Sequence, residues 1–312
     1  MIMYKYVIKR LLFTIPVLFG AIFLVFTIMN MTPGDPATLI LGITAKQADI
    51  DALNHQLGVD QPFFVQFFNY IKDMVTQFDF GTSYRTGKPV FDEILSRFPT
   101  TFWLALLSMI ISSIVGIVLG IVSAVKQYSV LDNTFTTLAM LLSAIPGFWL
   151  GLMLMLLFAL QLRILPSSGI DTWAGYVLPV ITLSLGGAAS QMRLTRSTML
   201  ETIRSDYIRT ARSKGAPENV VIWKHALKNA LLPVITSMGM NFGAGLGGAV
   251  IIETVFGMPG LGMLIVNSIR QKDTPTVMAA TLFLAFLFCL VMLVVDILYA
   301  YIDPRIKAKY QN

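Results

Sequence analysis

Six long stretches of the chain contain no Asp, Glu, Lys or Arg, and they dominate its pattern of hydrophobic and polar positions. A bilayer core about 30 Å thick is crossed by about 20 apolar residues in a helix, and each stretch meets or nearly meets that length. Strands are excluded, because a membrane barrel shows short alternating segments rather than long apolar runs. The sequence therefore predicts an all-α integral membrane protein with six transmembrane helices, within Leu11–Met29, Phe102–Val125, Thr134–Leu160, Tyr176–Met192, Ala230–Ile252 and Thr276–Val295.

The composition supports a membrane protein and excludes two other classes. Of the 312 residues, 55% are hydrophobic and 13% are charged, whereas a soluble domain carries about 25% charged residues. Disorder is excluded as well, because it requires low hydrophobicity and high net charge. A single cysteine and two histidines leave no set of ligands for a metal, so we expect no metal site.

The basic residues predict the orientation. With six crossings both termini share one side, and that side holds 15 of the 23 Lys and Arg residues. The positive-inside rule places it in the cytoplasm. We therefore interpret the net charge of +6 as topology and contact with anionic lipid, and not as a surface for nucleic acid. The predicted divisions are the cytoplasmic N terminus with a retained first helix (1–31), an external segment (32–99), a five-helix core (100–303) and a cytoplasmic tail (304–312).

The external segment 32–99 is predicted to contain short helices. One begins with Thr44 as its N-cap and ends at Gly58. In the following stretch, Pro62–Ile71, apolar residues recur at helical spacing. This pattern predicts an amphipathic helix on the outer membrane surface. The alternative, a linker that packs on the helix bundle, stays open.

The loop 193–229 carries the most specific pattern on the cytoplasmic side. Gly215 is placed to end a helix in the left-handed conformation, and Pro217 fits the first turn of the next one. That second helix has an apolar side formed by Val220, Val221, Ile222, Trp223, Ala226 and Leu227, and a polar side formed by Lys224, His225 and Lys228. Because short isolated helices are marginal in water, this protrusion needs a partner, which is either the bundle itself or a groove in another protein.

The predicted spans contain almost no ionisable groups. A proton- or sodium-coupled carrier usually has such groups inside its helices, so active transport by this chain needs an outside source of energy. A self-sufficient channel or secondary carrier is the alternative. No nucleophile, base and acid occur in a catalytic arrangement, so we expect no catalytic residues and a chain that is not an enzyme. The candidate pathway residues are Pro146, Gln191, Asn241, Gly245 and Glu253.

Several short motifs, taken together and in order, carry a resemblance to a known family. They are Leu57–Pro62, Phe80–Ser83, Ile145–Gly151, Leu165–Gly169, Arg196–Glu201, Asp206–Gly215, Glu253–Gly262 and Asp303–Arg305. Over nearly the full chain they resemble the permeases of binding-protein-dependent ABC importers. The resemblance is strongest to the first permease of the pair in the oligopeptide/dipeptide/nickel subfamily.

The resemblance implies a type I ABC importer permease fold with a long external loop after the first helix, in a bacterial or archaeal plasma membrane. It further implies a second homologous permease, two ATPase subunits that hold the ATP and Mg, an external substrate-binding protein, and no cofactor on this chain. The implied cargo is di- or oligopeptides, with nickel chelates or another small solute as alternatives.

The loop 193–229, here called the coupling loop, resembles the "EAA loop" that inserts into a groove of an ATPase. Its sequence departs from the general pattern, because Thr210 stands where the family has Glu. The implied coupling residues are Asp206, Tyr207, Arg209, Ala211, Arg212, Lys214, Gly215, Ala216, Pro217, Glu218 and His225.

Overall fold

A computed structural model describes residues 2–302 of the chain, and helices make up most of them. Within that part, the β interactions amount to one isolated antiparallel bridge between Thr82 and Pro89, so the all-α class is confirmed. The motif Asp303–Arg305 and the tail 304–312 lie outside the described residues. The elements are α1 Ile2–Met31, α2 Pro36–Leu41, α3 Gln47–Leu57, α4 Phe63–Gln77, α5 Val90–Val125, α6 Val130–Ala144, α7 Gly147–Leu154, the π-helix π1 Met155–Gln161, α8 Ala174–Ile203, α9 Asp206–Ser213, α10 Glu218–Val220, the π-helix π2 Val221–Ala226, α11 Leu227–Val255, α12 Leu261–Arg270 and α13 Thr274–Ile302.

Five of the six predicted spans fall within single helices, and the third is divided between α6, α7 and π1 by the non-helical Ile145 and Pro146. Four of the described helices are long and apolar enough to cross a membrane, and the bent pair of α6 with α7–π1 makes a fifth if it is counted as one span. The helix α8 contains the predicted fourth span but does not reach that standard, because small and polar residues dilute its apolar ones. Several membrane-spanning helices are thus established, and the count of six crossings stays a prediction.

The third span was predicted to be one continuous helix, and this prediction is wrong. The span is bent by 100° between α6 and α7. The cause is local, since Pro146 has no N–H to donate and the residue before a proline is pushed out of the helical region. Ile145 accordingly adopts an extended conformation, with ψ of 126°. The chain then resumes as α7 directly after Pro146.

The chain forms two compact units, of which the first consists mainly of Phe102–Met258 and the part of α13 from Phe288 onwards. In this unit α8 packs against α6, α7 and α11. Leu178 of α8 and Phe256 are each almost fully buried in one apolar cluster of this unit. The approach of α5 to α8 is close, because Gly116 and Gly120 face it without side chains.

The second unit consists of Tyr4–Thr101 and Pro259–Leu287. Its helix α4 confirms the predicted helix after Pro62. Phe67 is 1% exposed and packs edge-on against Phe19 and Phe23 of α1, with ring centroids 5.6 and 5.3 Å away. One face of α4 therefore packs on α1, while Phe64 and Phe68 are exposed, and the position of this helix at the outer membrane surface stays a prediction.

The start of α3 differs from the prediction, whereas its end agrees. Thr44 lies in the turn that follows α2, and Lys46 is the N-cap. Gly42, with a φ of 89°, ends α2 late enough that Thr44 is still part of this turn. Gly58 ends α3 in the left-handed region, with a φ of 68°, as predicted. The helix α5 begins at Val90, already inside the segment predicted to be external.

Candidate functional site

The coupling loop is built as a continuation of α8. This helix runs to Ile203, well beyond the apolar stretch that ends at Met192, and α9 follows after a short break. Gly215 then turns the chain with a φ of 79°, which a residue without a Cβ adopts at no steric cost. Pro217 was predicted to lie in the first turn of the next helix, but it is the N-cap of that helix.

The second predicted short helix is not a separate element. It begins as α10, continues as π2 and leads without a break into α11. Val221 and Ala226 are fully buried, and so is Ile208 of α9. They form one apolar cluster with Ile121 of α5 and Met199 of α8. Of the two partners left open by the sequence, the bundle therefore covers this inner face.

The outer face of the coupling loop presents aromatic and basic side chains. Trp223 is 58% exposed and Tyr207 is 48% exposed. The prediction that Trp223 shares the apolar side with Val221 and Ile222 is wrong, because six consecutive helical residues cover more than one face. Between Arg204 and Lys228, six Lys and Arg residues stand against two Asp and Glu residues. The exposed face is thus suited to an acidic partner surface with a pocket for an aromatic ring.

An ion pair spans the glycine turn of the coupling loop. The guanidinium of Arg212 donates to both carboxylate oxygens of Glu218, at 2.6 and 3.1 Å. This hydrogen bond and the positive charge lower the pKa of Glu218. Both side chains are partly exposed, so solvent screens the pair and its contribution to stability is small. Its effect is on geometry, since the two ends of the turn at Gly215 are joined.

The structure places most of the predicted coupling residues on the surface. Ala211, Ala216 and His225 are half-buried. The exposed ones are Asp206, Tyr207, Arg209, Arg212, Lys214, Gly215, Pro217 and Glu218.

The candidate pathway residues are only partly brought together. Gln191 of α8 is 1% exposed; its side chain donates to the carbonyl of Val234 and accepts from Ser237 and Asn241 of α11. These contacts turn the Gln191 amide toward α11. Of the others, Pro146 is exposed at the bend, Gly245 is half-buried and Glu253 is fully buried.

One cluster of charged residues was missed by the sequence analysis. Asp132, near the start of α6, is 1% exposed and forms an ion pair with Arg196 of α8 at 2.6 Å. The available signal was that Asp132 is the one acidic residue between Phe102 and Leu160. Its partner lies 64 positions away, and the sequence pattern does not specify that pairing.

A polar cleft of about 680 Å³ lies within the second unit. His55 Nδ1 and Asp60 Oδ2 are 2.8 Å apart at its edge, and this contact raises the pKa of His55 and lowers that of Asp60. Lys272 Nζ donates to the carbonyl of Gly34 at 2.6 Å, and burial lowers the pKa of Lys272. Asp35, Asp60 and Asp73 give the cleft more acidic than basic groups.

The neighbouring Asp273 holds the loop before α5 in place. Its carboxylate is 2% exposed and accepts from the hydroxyls of Ser83 and Thr276 at 2.5 and 2.8 Å and from the backbone N–H of Tyr84 at 3.0 Å. Burial, together with this carboxylate, raises the pKa of Tyr84 to about 12. The Tyr84 phenol beside the cleft therefore stays protonated at neutral pH.

Comparisons with known proteins identify the class. Residues 116–308 match the family described as "Binding-protein-dependent transport system inner membrane component", and residues 3–105 match the N-terminal part of such membrane components. The chain belongs to this family, and it is the permease subunit of an ABC importer. Members of the family are transport components and not enzymes, and their ATPase partners and substrate-binding protein are implied by membership.

Individual relatives refine the placement. The chain is 45% identical over 307 residues, 98% of its length and 100% of theirs, to the "Glutathione transport system permease protein GsiC" of Escherichia coli K12 and of Shigella dysenteriae. This confirms the resemblance to the oligopeptide/dipeptide type of permease.

Solved structures with a similar fold include the MetNI methionine ABC transporter in inward-facing conformations, with a TM-score of 0.59, 18% identity and coverage of 69% of this chain and 98% of that one. An amino acid ABC transporter crystallised with histidines has a TM-score of 0.53, 16% identity and coverage of 69% and 94%. They support the type I importer permease fold.

Proposed function

We propose that this chain forms part of the pathway for small peptides in an ATP-driven importer. The observation that carries the proposal is the 45% identity, over the full length, to a permease named for glutathione, which is a tripeptide. A peptide backbone is polar but carries few charges. The six long stretches of this chain that contain no charged residue suit such cargo better than they suit a coupled ion.

The proposed machine contains three further kinds of subunit. A second homologous permease completes the pathway, two ATPases supply the energy, and an external binding protein delivers the cargo. Both termini and the coupling loop then face the cytoplasm, in agreement with the positive-inside rule. Closing and opening of the ATPases moves the coupling loop, and the permease halves alternate their access by rigid-body movement.

The coupling loop is the proposed docking element for an ATPase. Three features support it: an inner face that is fixed to the bundle through Ile208 and Ala226, an exposed Trp223, and an excess of basic residues. A fixed base with a protruding aromatic side chain is the arrangement of an interface anchor, because a tryptophan buried on binding contributes a large part of the binding energy.

Transport in reconstituted vesicles tests the cargo and the source of energy. The complete complex is expected to import a labelled tripeptide only with ATP inside and binding protein outside. Import of a nickel chelate without any peptide import contradicts the proposed cargo. Transport by this chain alone, without ATP, contradicts the proposed machine.

A pair of tryptophan variants tests the docking element. Trp223→Glu is expected to release the ATPase subunits during purification and to abolish import. Trp173→Glu is the matched control, because Trp173 is also exposed, at 71%, but lies before α8 and away from the coupling loop in sequence. Retention of the ATPases by the Trp223 variant contradicts docking at this surface.

The acidic cleft of the second unit is the proposed contact for the external binding protein. Its carboxylates favour a partner surface that presents the amines of lysines or the guanidinium groups of arginines. Asp73→Lys, within the cleft, is expected to weaken binding of the binding protein to the vesicle-embedded complex. The control Asp92→Lys changes an exposed residue of α5 that does not line the cleft. Equal binding by both variants contradicts this assignment.

A further inference from the structure

The ion pair between Asp132 and Arg196 has the geometry of a rigid joint. Nε and one terminal nitrogen of Arg196 donate to the two carboxylate oxygens of Asp132, at 2.6 and 2.8 Å. The side chains are 2% and 24% exposed, respectively. A two-point pair of this kind fixes both distance and orientation, which a single hydrogen bond does not.

Three helices meet at this carboxylate. Ser123, near the end of α5, donates its hydroxyl to Asp132, and the backbone N–H of Tyr128 donates to the same carboxylate at 2.9 Å. With Arg196 of α8, the donors come from α5, from the α5–α6 turn and from α8. A buried carboxylate with this many donors is held firmly, because any displacement leaves polar groups without partners.

The joint lies between two parts of the chain that are expected to move together. Arg196 lies in the part of the coupling loop that α8 forms, seven residues before the end of this helix at Ile203, which corresponds to about 10 Å of helix, and α9 follows. In the other direction, α6 leads from Asp132 to the 100° bend at Pro146.

The remaining contacts between α6 and α8 are of a different kind. They include the buried Ala139 of α6 and the buried Ala189 and Met192 of α8, with the partly buried Phe135 and Leu142 of α6 packed against them, and a hydrogen bond from Arg193 to Ser143 at 2.9 Å. Apolar contacts are non-directional and do not by themselves fix the position of one helix along the other. The two-point Asp132–Arg196 pair fixes the position of α8 along α6.

We propose that Asp132 and Arg196 are positioning residues that transmit the movement of the coupling loop to α6 and so to the bent helix pair. The proposal rests on docking of the ATPase at the coupling loop. It assigns a role in coupling to two residues that touch neither cargo nor nucleotide. Without the joint, α8 moves with the ATPases while α6 does not follow.

The test compares ATP hydrolysis with import in the complete reconstituted complex. Asp132→Asn keeps the shape of the side chain but removes its charge, and Arg196→Lys keeps the charge but removes the two-point contact. Each variant is expected to raise the ATP hydrolysed per peptide imported by about tenfold, the size of a typical coupling between sites. The control Ser143→Ala removes the hydrogen bond from Arg193 between the same two helices at a residue outside the coupling loop, and it is expected to leave this ratio unchanged.

Two results overturn the proposal. In one, hydrolysis and import fall in parallel with the yield of assembled complex, so that the ratio is unchanged and the pair is merely structural. In the other, Arg196→Lys, the milder of the two changes, assembles normally and transports with the normal ratio. If docking at the coupling loop is itself wrong, Trp223→Glu leaves the ATPases bound, and this outcome separates failure of the joint from failure of the docking element.

Discussion

The close approach of α5 and α8 gives a prediction whose size follows from the structure. A Cβ added at Gly120 would lie 2.6 Å from the Cβ of Thr195 and 2.8 Å from the backbone oxygen of Met192. Carbon atoms in favourable contact are about 3.5–4.0 Å apart. Gly120→Ala therefore requires the two helices to separate by about 1 Å at this point, because a backbone atom cannot turn aside as a flexible side chain does.

The cost can be separated from the intrinsic effect of alanine on a helix. Overpacking of this kind costs about 1–3 kcal/mol, while exchanging glycine for alanine within a helix returns up to about 1 kcal/mol. Gly186 of α8 is the matched control, since an added Cβ there would meet no atom within 4 Å. The difference between Gly120→Ala and Gly186→Ala is thus expected to be about 1–3 kcal/mol in free energy of unfolding.

The measurement is unfolding of the purified full chain in mixed micelles of a mild detergent and SDS, followed by the loss of helical circular dichroism. Gly120→Ala is expected to unfold at a lower fraction of SDS than Gly186→Ala. If the two variants unfold together, the helices are not in tight contact at Gly120, and the reasoning is refuted.

Two further predictions concern the second unit. Phe67→Ala is expected to lower the free energy of unfolding by about 3–5 kcal/mol and to expose α4 to proteases. The control Phe68→Ala changes a side chain that is 58% exposed and is expected to leave cleavage nearly unchanged. Equal cleavage of the two variants refutes the packing of α4 on α1. NMR titration of the histidines in the full chain is expected to give His55 a pKa above the ordinary value, and the Asp60→Asn variant is expected to return this pKa toward the ordinary value. Both members of the pair are charged only between the lowered pKa of Asp60 and the raised pKa of His55. Its contribution to stability is therefore lost as the pH rises through the His55 pKa, and an unshifted His55 refutes the contact.

Features with a local cause were predictable from the sequence. The helices follow from runs of residues without charge, and the chain turns at Gly58 and Gly215 follow from the need for a left-handed backbone. The prediction of Thr44 as the N-cap of α3 was wrong for a local reason as well, because Gly42 and the turn after it place the start of α3 later in the chain. The bend at Pro146 was within reach, since proline does not continue a helix without loss of a hydrogen bond.

The contacts that define the candidate sites depend on which helices become neighbours. The sequence around Gln191 does not indicate whether its side chain faces α11 or a pathway. Asn241 comes to lie beside Gln191 only because α8 and α11 pack together. The same holds for Asp132 and Arg196, whose partners are chosen by the packing of α6 on α8. Periodicity identified the helices of the coupling loop but assigned Trp223 to the wrong face.

The π-helical turn π2 accommodates one residue more between Pro217 and α11 than an α-helix would. A π-helix contains one more residue per hydrogen-bonded loop than an α-helix, and buried Val221 and Ala226 are accordingly five positions apart. Removing a single residue from Val221–Ala226 would convert this turn to an α-helix and leave the residues after it close to their present orientation, because the wider turn takes up one residue more than an α-helical turn does. Relatives that lack one residue in this turn are thus expected to keep the same contacts along α11, with an α-helical turn in place of π2.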